Sequence, residues 1–194
     1  MVILLPELTR FFVNRNIELK ARFPDLDAGH QTARRLGAQL HAIERQRDTY
    51  FRVASGRLKL RERWAFDSSG VIRQPGASQL IWYRRPDDAR ARASDYSLIV
   101  MESGSELRDV LAGSLGVTVE VEKLRVIYLH DNVRIHLDDV KGLGRFLEFE
   151  AIVNDSCDEG HAQAKLEQLR RIFEISDDAI LSQSYSDLTI AGDP

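Results

Sequence analysis

The amino-acid sequence predicts an α+β fold that combines about eight strands with three amphipathic helices. In several segments apolar and polar residues alternate with a period of two, which is typical of strands that bury one face. In three other segments apolar residues recur at helical spacing after a capping residue. Since amphipathic helices need an apolar partner, we expect them to cover the apolar faces of the strands.

The most informative stretch is residues 133–150, VRIHLDDVKGLGRFLEFE, which predicts a hairpin around a Gly142-Leu143-Gly144 turn. Alternate side chains of a strand point to opposite faces, so one face of this hairpin is apolar. The other face carries one guanidinium, one imidazole and three carboxylates, from Arg134, His136, Asp138, Glu148 and Glu150. Carboxylates this close repel one another, and a divalent cation is the usual remedy.

The remaining strands are predicted, in chain order, at residues 16–22, 39–51, 57–65, 79–84, 94–101 and 117–129. Residues 39–51 form either a strand pair or one bent strand. Tight turns are expected at 67–70 and 131–132. Residues 1–14 are expected to be a short arm and residues 86–93 a mobile loop.

The helices are predicted from their start and stop signals. The first begins at Pro24-Asp25 and ends at Gly37. The sequence Ser103-Gly104-Ser105-Glu106 predicts a capping box for the second helix, whose apolar face carries Leu107, Val110, Leu111 and Leu115. A second capping box, Ser156 with Glu159, predicts the start of the third. Ser176-Asp177-Asp178 is expected to cap a last short helix.

The second face of the strands is charged. Its members are Glu18, Lys20, Lys59, Arg61, Arg84, Lys123, Arg125, Arg134, Asp138, Glu148 and Glu150. An open sheet would expose this face to water, whereas a closed sheet would place it inside a tunnel, and the residue pattern alone allows both. In a tunnel, two like charges about 5 Å apart would repel by roughly 3 kcal/mol at an effective dielectric constant near 20. A closed sheet would therefore favour a bound polyanion among the cations and a metal ion at the carboxylates.

Composition excludes several classes of protein. The 194-residue chain has a formal net charge of -3, so it lacks the basic field expected of a nucleic-acid-binding protein. Cys157 is the only cysteine, which excludes an internal disulfide framework and suits a reducing compartment. No apolar run is close to the length of about 20 residues that a helix needs to span a membrane. The first residues of the sequence make a poor signal peptide. We expect a cytoplasmic protein that binds neither nucleic acid nor membranes.

Six blocks of the sequence, in order, resemble the signatures of the CYTH superfamily, also called the triphosphate tunnel metalloenzymes. The blocks are Asn16-Ile17-Glu18-Leu19-Lys20, Asp48-Thr49-Tyr50-Phe51, Leu58-Lys59-Leu60-Arg61, Tyr83-Arg84-Arg85-Pro86, Lys123-Leu124-Arg125 and the acidic close from His136 to Glu150. The terminal Ser184-Tyr185-Ser186-Asp187-Leu188 resembles the class IV adenylate cyclase-like branch in particular. Two positions depart from the pattern. Asn16 stands where the signature has its first Glu, and Arg84 stands where Lys is usual.

The resemblance implies that residues 1–194 form a single CYTH domain, a closed eight-stranded antiparallel β-barrel with flanking helices around a tunnel. It implies that the tunnel binds a triphosphate with Mg²⁺ or Mn²⁺. The metal ligands it implies are Glu18, Asp138, Glu148 and Glu150. The phosphate-binding residues it implies are Lys59, Arg61, Arg84, Lys123, Arg125 and Arg134. The chain is expected to be a monomer or a homodimer.

Three functions are compatible with this set of residues. In a class IV adenylate cyclase-like enzyme, the ribose 3′-hydroxyl of ATP attacks the α-phosphorus and pyrophosphate leaves. In a triphosphatase acting on tripolyphosphate or thiamine triphosphate, water is the attacking group. A non-catalytic polyphosphate- or nucleotide-binding module is the third, because Asn16 removes one acidic position. Lys20 is our hypothesis for the catalytic proton acceptor, since neighbouring cations would favour its neutral form. His136 is expected to form a hydrogen bond to a nearby carboxylate rather than to bind metal.

Overall fold

The computed structural model describes residues 14–66, 72–84 and 92–192, which are arranged around a β-barrel. The strands are β1 (Asn14–Arg22), β2 (Gln39–Phe51), β3 (Arg57–Phe66), β4 (Ile72–Arg84), β5 (Arg92–Met101), β6 (Val117–His130), β7 (Val133–Val140) and β8 (Gly144–Ile152). The helices are α1 (Leu26–Arg35), α2 (Ser105–Leu115), α3 (Glu159–Ile172) and α4 (Tyr185–Ala191), with a single 3₁₀ turn at Asp177–Ala179. No helix within these ranges has both the length and the apolar character needed to cross a membrane.

Each strand of the barrel pairs antiparallel with both of its neighbours, in the order β1-β5-β4-β3-β2-β6-β7-β8. Strand β8 pairs back onto β1 over seven positions, from Asn16 opposite Ile152 to Arg22 opposite Phe146, and this pairing closes the sheet. A closed sheet has no edge strand. The predicted closed eight-stranded antiparallel barrel is confirmed, and the open sheet is excluded. Residues 39–51 form one strand with a register shift after Leu40, rather than a pair of strands.

The barrel turns its apolar face outward, beneath the helices. On β1, β7 and β8 the apolar outward side chains are buried, among them Ile17, Leu19, Ile135, Leu147 and Phe149. They pack against apolar residues of α1 and α3, including Ala33, Ala162, Leu166 and Leu169. Because side chains alternate along a strand, this packing directs the charged positions of the same strands into the barrel.

Helices α1 and α2 begin in different ways. Helix α1 has the predicted cap, since the Asp25 carboxylate accepts a hydrogen bond from the Ala28 N–H at 2.9 Å. The predicted capping box of α2 is wrong, because its N-cap is Gly104, which has no side chain to accept a bond. A Cβ at this position would lie 2.8 Å from Ser78, so the close approach to β4 requires glycine. The predicted apolar face of α2 is covered only in part, and Val110 is 65% exposed.

The predicted cap of α3 is also wrong. Asp158, rather than Ser156, caps the helix by accepting a hydrogen bond from the His161 N–H at 2.9 Å. Both the N–H and the hydroxyl of Ser156 instead donate to the Asn154 side-chain oxygen, at 3.0 and 2.7 Å. This local turn uses the serine hydroxyl before the chain enters the helix.

The C-terminal region contains a helix that the sequence did not predict. Ser176 precedes only the single 3₁₀ turn, whereas Ser184 and Asp187 form a complete capping box that starts α4. The box uses Asp at its fourth position, where Glu or Gln is usual, which weakens the sequence signal.

Strand β4 begins seven residues earlier than predicted. Its first half contains Pro75 and Gly76, which interrupt the alternating pattern. Two register shifts against β3, between Arg61 and Arg63 and between Trp64 and Phe66, accommodate them. Asn14 and residues 92–93, which were expected in the arm and the loop, instead begin β1 and β5. The predictions for residues 1–13, the 67–70 turn and residues 86–91 lie outside the described residues.

Candidate functional site

The interior of the barrel contains a cavity of about 570 Å³. Side chains from all eight strands line it, and Ser184 and Tyr185 contribute from the start of α4. This volume lies within the usual range of small-molecule binding sites. Nine of the sequence-predicted site residues line this cavity, namely Glu18, Lys20, Lys59, Arg61, Lys123, Arg125, Arg134, Glu148 and Glu150.

The first feature of the cavity is a cluster of three cations around one carboxylate. Asp48 of β2, which is 1% exposed, accepts hydrogen bonds from Arg61 at 2.7 and 2.8 Å, from Lys123 at 2.9 Å and from Lys59 at 3.1 Å. Burial alone would raise the pKa of Asp48, but the charges of Arg61, Lys123 and Lys59 hold it well below its usual value. We call these four residues the Asp48 cluster, and its net charge is positive when all four are ionised.

The pKa of Lys123 reflects its burial first and the positive charge around it second. Burial, together with the charges of Arg61, Arg125 and Lys59, lowers the pKa of Lys123 from 10.5 to about 7, although Asp48 opposes the change. The folded protein thus holds the proton on Lys123 less tightly than the unfolded chain does. An anion near this ammonium would favour its protonated form.

This pKa shift predicts how stability depends on pH. Between pH 7 and about 10, the unfolded chain binds more protons at Lys123 than the folded protein does, so the contribution of Lys123 to the free energy of unfolding rises with pH. Below pH 7 the ammonium is protonated in both states and this contribution is lost. We expect the Lys123→Met variant to lack about 2–4 kcal/mol of the rise in the free energy of unfolding between pH 7 and pH 10. Urea unfolding at several pH values measures both curves, and parallel curves would refute the assignment.

The second feature is an ion-pair network behind one wall of the cavity. Arg125 donates to both oxygens of Asp138, at 2.7 and 2.6 Å, and to Glu148 at 2.7 Å. The Tyr185 hydroxyl donates to Asp138 as well, at 2.7 Å. Asp138 is completely buried and does not line the cavity. Its contacts orient Arg125 and Tyr185, and they do not support the predicted role of Asp138 as a metal ligand.

The third feature is a group of carboxylates on β1 and β8. Glu18 lies directly opposite Glu150 in the strand register, and Glu148, which is opposite Lys20, precedes Glu150 by two positions on β8. Glu150 accepts hydrogen bonds from Asn16 and, at 2.9 Å, from Arg134. The Lys20 ammonium lies 3.4 Å from Glu148. Although burial opposes it, neighbouring positive charges lower the pKa of both Glu148 and Glu150, so both are ionised.

The fit of this group to a divalent metal rests on donor chemistry and placement. Carboxylate oxygens are the ligands that Mg²⁺ and Mn²⁺ prefer, and Glu18, Glu148 and Glu150 occupy neighbouring inward positions. In the described ranges, no three acidic, histidine or cysteine side chains already stand at metal-binding geometry. The carboxylates are instead neutralised by Lys20, Arg125 and Arg134. Glu18, Glu148 and Glu150 thus suit a metal by type, and their assignment stays a prediction.

His136 lies between these carboxylates without bonding to them. Its Nδ1 is 3.6 Å from Glu148 and its Nε2 is 4.0 Å from Glu150, and Nδ1 has no hydrogen-bond partner in the described part of the chain. Both distances exceed those of a hydrogen bond, so the expected bond is not observed. Burial and the charge of Arg125 lower the pKa of His136.

Helix α4 lies across one end of the barrel. The Tyr185 ring packs 3.7 Å from the Lys20 ammonium of β1 and 5.0 Å from the Phe146 ring of β8. Asp187 pairs with Arg57 of β3 at 3.0 Å. These contacts reach strands on several sides of the barrel and place α4 over the end where β1 finishes. The sequence prediction missed Tyr185 as a lining residue because it missed the helix.

Arg84 is not brought together with the other predicted phosphate-binding residues. It is exposed, donates to Ser55 at 3.2 Å and packs over the Trp82 ring at 5.0 Å. On β4 the inward positions are Gln79, Ile81 and Tyr83, so the period of two places Arg84 outside. This position does not support the predicted contact between Arg84 and a phosphate.

Fold and site together define a class: a closed barrel whose bore holds clustered cations beside a group of carboxylates. The sequence model of the CYTH domain matches residues 14–185, so the chain belongs to the CYTH family. Enzymes of this family are of adenylate cyclase or triphosphatase type, bind triphosphate substrates and typically depend on a metal ion.

Known proteins with similar sequences or folds support this assignment. A candidate adenylate cyclase from Methanocaldococcus jannaschii is 24% identical over 175 residues, which cover 89% of this chain and 97% of that protein. The structure of the PH1012 protein from Pyrococcus horikoshii OT3 superposes with a TM-score of 0.72 at 21% identity, covering 89% and 98% of the two chains. A candidate adenylyl cyclase from Hippeastrum, described as having a dominant triphosphatase activity, has a TM-score of 0.58 at 15% identity and coverage of 93% and 96%.

Proposed function

We propose that the tunnel binds the triphosphate of a nucleotide together with Mg²⁺ or Mn²⁺, and that the protein converts ATP to cyclic AMP and pyrophosphate. The observation that carries this proposal is the Asp48 cluster, in which the buried Lys123 and the partly buried Lys59 and Arg61 share one carboxylate. Without a ligand, each pair of cations at about 5 Å repels by roughly 3 kcal/mol at an effective dielectric constant near 20. A polyanion in the cavity would relieve this repulsion.

In this proposal the basic residues position and neutralise the phosphates. Lys59, Arg61 and Lys123 lie together around Asp48, and Arg125 lines the same cavity, so each can turn toward phosphate oxygens. Arg134, which is 39% exposed at its side chain, adds a contact nearer the surface. Phosphoryl and nucleotidyl transfer depend mainly on such positioning and charge neutralisation. These residues therefore supply most of what the reaction requires from the protein.

Glu18, Glu148 and Glu150 are the proposed metal ligands. A bound Mg²⁺ or Mn²⁺ would neutralise charge on the phosphate oxygens as a Lewis acid. Lys20 remains our proposed proton acceptor for the attacking hydroxyl. This hypothesis assumed that neighbouring cations favour the neutral form of Lys20, whereas the structure has Glu148 and the Tyr185 ring beside the Lys20 ammonium. Lys123 has the cationic surroundings that the hypothesis described.

The cavity favours an organic triphosphate. Its lining includes apolar side chains besides the charged ones, namely Ile81, Leu98, Ile127, Leu129 and Ile152. A nucleoside can pack against such side chains, whereas inorganic tripolyphosphate gains nothing from them. The candidate cyclase from Methanocaldococcus jannaschii supports the same choice.

A triphosphatase is the second candidate, supported by the neighbour from Hippeastrum. The same cations could position a triphosphate for attack by water. A non-catalytic binding module is the third, because Asn16 donates to Glu150 where an acidic residue would add a further carboxylate.

One incubation separates the three functions. The protein is mixed with Mn²⁺ and either ATP or tripolyphosphate, and the products are resolved by chromatography. We expect cyclic AMP and pyrophosphate from ATP. Free phosphate from either compound would favour the triphosphatase, and binding without products would favour the module. If neither compound binds or reacts, the proposed function is wrong.

A further inference from the structure

The inward face of β2 continues beyond the Asp48 cluster into a polar pair, Glu44 and Gln46, which has no role in the proposed function. Its inward side chains are, in order, Glu44, Gln46, Asp48 and Tyr50, and all four line the cavity. Gln46 is 2% exposed. Its Nε2 donates to Glu44 Oε2 at 2.8 Å, whereas its Oε1 has no hydrogen-bond partner within the described ranges. A buried acceptor without a partner is uncommon and calls for an explanation.

The orientation of the Gln46 amide follows from its neighbour. The Glu44 carboxylate accepts from Arg63 on one oxygen, and a carboxylate has no proton to donate, so the nitrogen of Gln46 must face it and the oxygen must face away. The reversed amide would set two acceptor oxygens against each other. The unpartnered atom is thus an acceptor.

The pair is held in place from its other side. Arg63 of β3 donates to Glu44 Oε1 at 3.3 Å, and its Nε donates to the Ala77 carbonyl of β4 at 3.0 Å. Three adjacent strands therefore fix the position of Glu44, and Glu44 fixes Gln46. Such a supporting shell is what pre-organises a recognition group.

A phosphate cannot be the partner of this oxygen. The oxygens of an ionised triphosphate are acceptors, and they would be repelled by Gln46 Oε1 and by Glu44. The partner must bring an N–H or O–H. Gln46 is two residues from Asp48 on the same strand, a separation of about 7 Å, so that partner lies next to the phosphate chain.

We infer that Gln46 is a specificity-determining residue, whose Oε1 accepts a hydrogen bond from a sugar hydroxyl of a nucleoside triphosphate. The inference rests on the proposed function, and it narrows the substrate class to triphosphates that carry a hydroxyl-bearing organic group. Inorganic tripolyphosphate offers this oxygen no donor. Gln46 would select for such triphosphates, because a group placed to accept a hydrogen bond discriminates against ligands that lack the donor.

The test compares three ligands on the wild-type protein and on Gln46→Met. Dissociation constants for ATP, 2′,3′-dideoxy-ATP and tripolyphosphate are measured by calorimetry in EDTA, where a metal-dependent reaction cannot proceed. For the wild type we expect ATP to bind about tenfold more tightly than the dideoxy compound. In Gln46→Met this ratio should fall to about one, while tripolyphosphate binding stays unchanged. The matched control is Gln39→Met at the exposed start of β2, which should keep the wild-type ratio.

Equal wild-type affinities for ATP and the dideoxy compound would overturn the inference without any variant, so it does not depend on Gln46→Met folding. A Gln46→Met variant that retains the tenfold ratio would also overturn it. In both cases measurable ATP binding leaves the proposed function standing. If the wild type binds neither ATP nor tripolyphosphate, in EDTA or with Mn²⁺ added, the proposed function itself fails, and the inference fails with it.

Discussion

The Asp48→Asn variant is expected to lose about 3–5 kcal/mol in free energy of unfolding at pH 7. The substitution removes the carboxylate to which Lys59, Arg61 and Lys123 are bonded, while changing the shape of the side chain little. The buried Lys123 and the partly buried Lys59 and Arg61 would then lack their common partner, and leaving such charges unpaired costs far more than losing a surface ion pair. Urea unfolding of the variant and the wild type measures the difference.

The matched control for this experiment is Asp139→Asn. It makes the same substitution at a position on the outside of the barrel, where the Asp139 side chain is half exposed and lies 3.5 Å from Arg145. We expect the control to stay within about 0.5 kcal/mol of the wild type. If Asp48→Asn is as stable as the control, the three cations do not depend on Asp48 and the electrostatic account of the cavity is wrong.

The Glu150→Gln variant is expected to lose at least about 100-fold in metal-dependent turnover. Glu150 is a proposed metal ligand opposite Glu18, and an amide is a much weaker ligand for Mg²⁺ or Mn²⁺ than a carboxylate. Mn²⁺ binding, followed by electron paramagnetic resonance, should weaken in parallel. Because Glu150 lies at the cavity wall rather than in the apolar core, the barrel should still fold.

Glu122→Gln provides the control for this loss. Glu122 is on the outside of β6, where it pairs with Arg45 and Lys141, so its substitution should leave turnover and Mn²⁺ binding unchanged. Full activity in Glu150→Gln would remove Glu150 from the set of required ligands. Lost activity with unchanged Mn²⁺ binding would give it a role other than metal binding.

The sequence predicted which side chains share the inner face, because that property depends only on the period of two. Lys59 with Arg61, Lys123 with Arg125, and Glu148 with Glu150 are each two positions apart on one strand, and each pair lines the cavity. Closure of the sheet is a different matter, since it depends on the pairing of β1 with β5 and β8. The residue pattern allowed both an open and a closed sheet, and only the resemblance to a family favoured the barrel.

The Asp48 cluster shows what the sequence could not reveal. Its four members come from β2, β3 and β6, and their contacts depend on the register between these strands. Asp48 belongs to one of the blocks that resemble the family, and the period of two along β2 puts it on the same face as Glu44, Gln46 and Tyr50. Asp138 shows the converse: its face was predicted, but its bond to Arg125 depends on the register between β6 and β7, and its bond to Tyr185 depends on α4, a helix that the sequence did not predict.

The central claim is that the cations inside the barrel are arranged to bind a triphosphate. The most direct test is the thermal unfolding midpoint of the wild type and of Asp48→Asn as tripolyphosphate is added. Saturation at about 100 times the dissociation constant should raise the wild-type midpoint by about 5–10 °C. The rise should be larger for Asp48→Asn, because the ligand replaces the missing negative charge. Midpoints that do not change in either protein would contradict the claim.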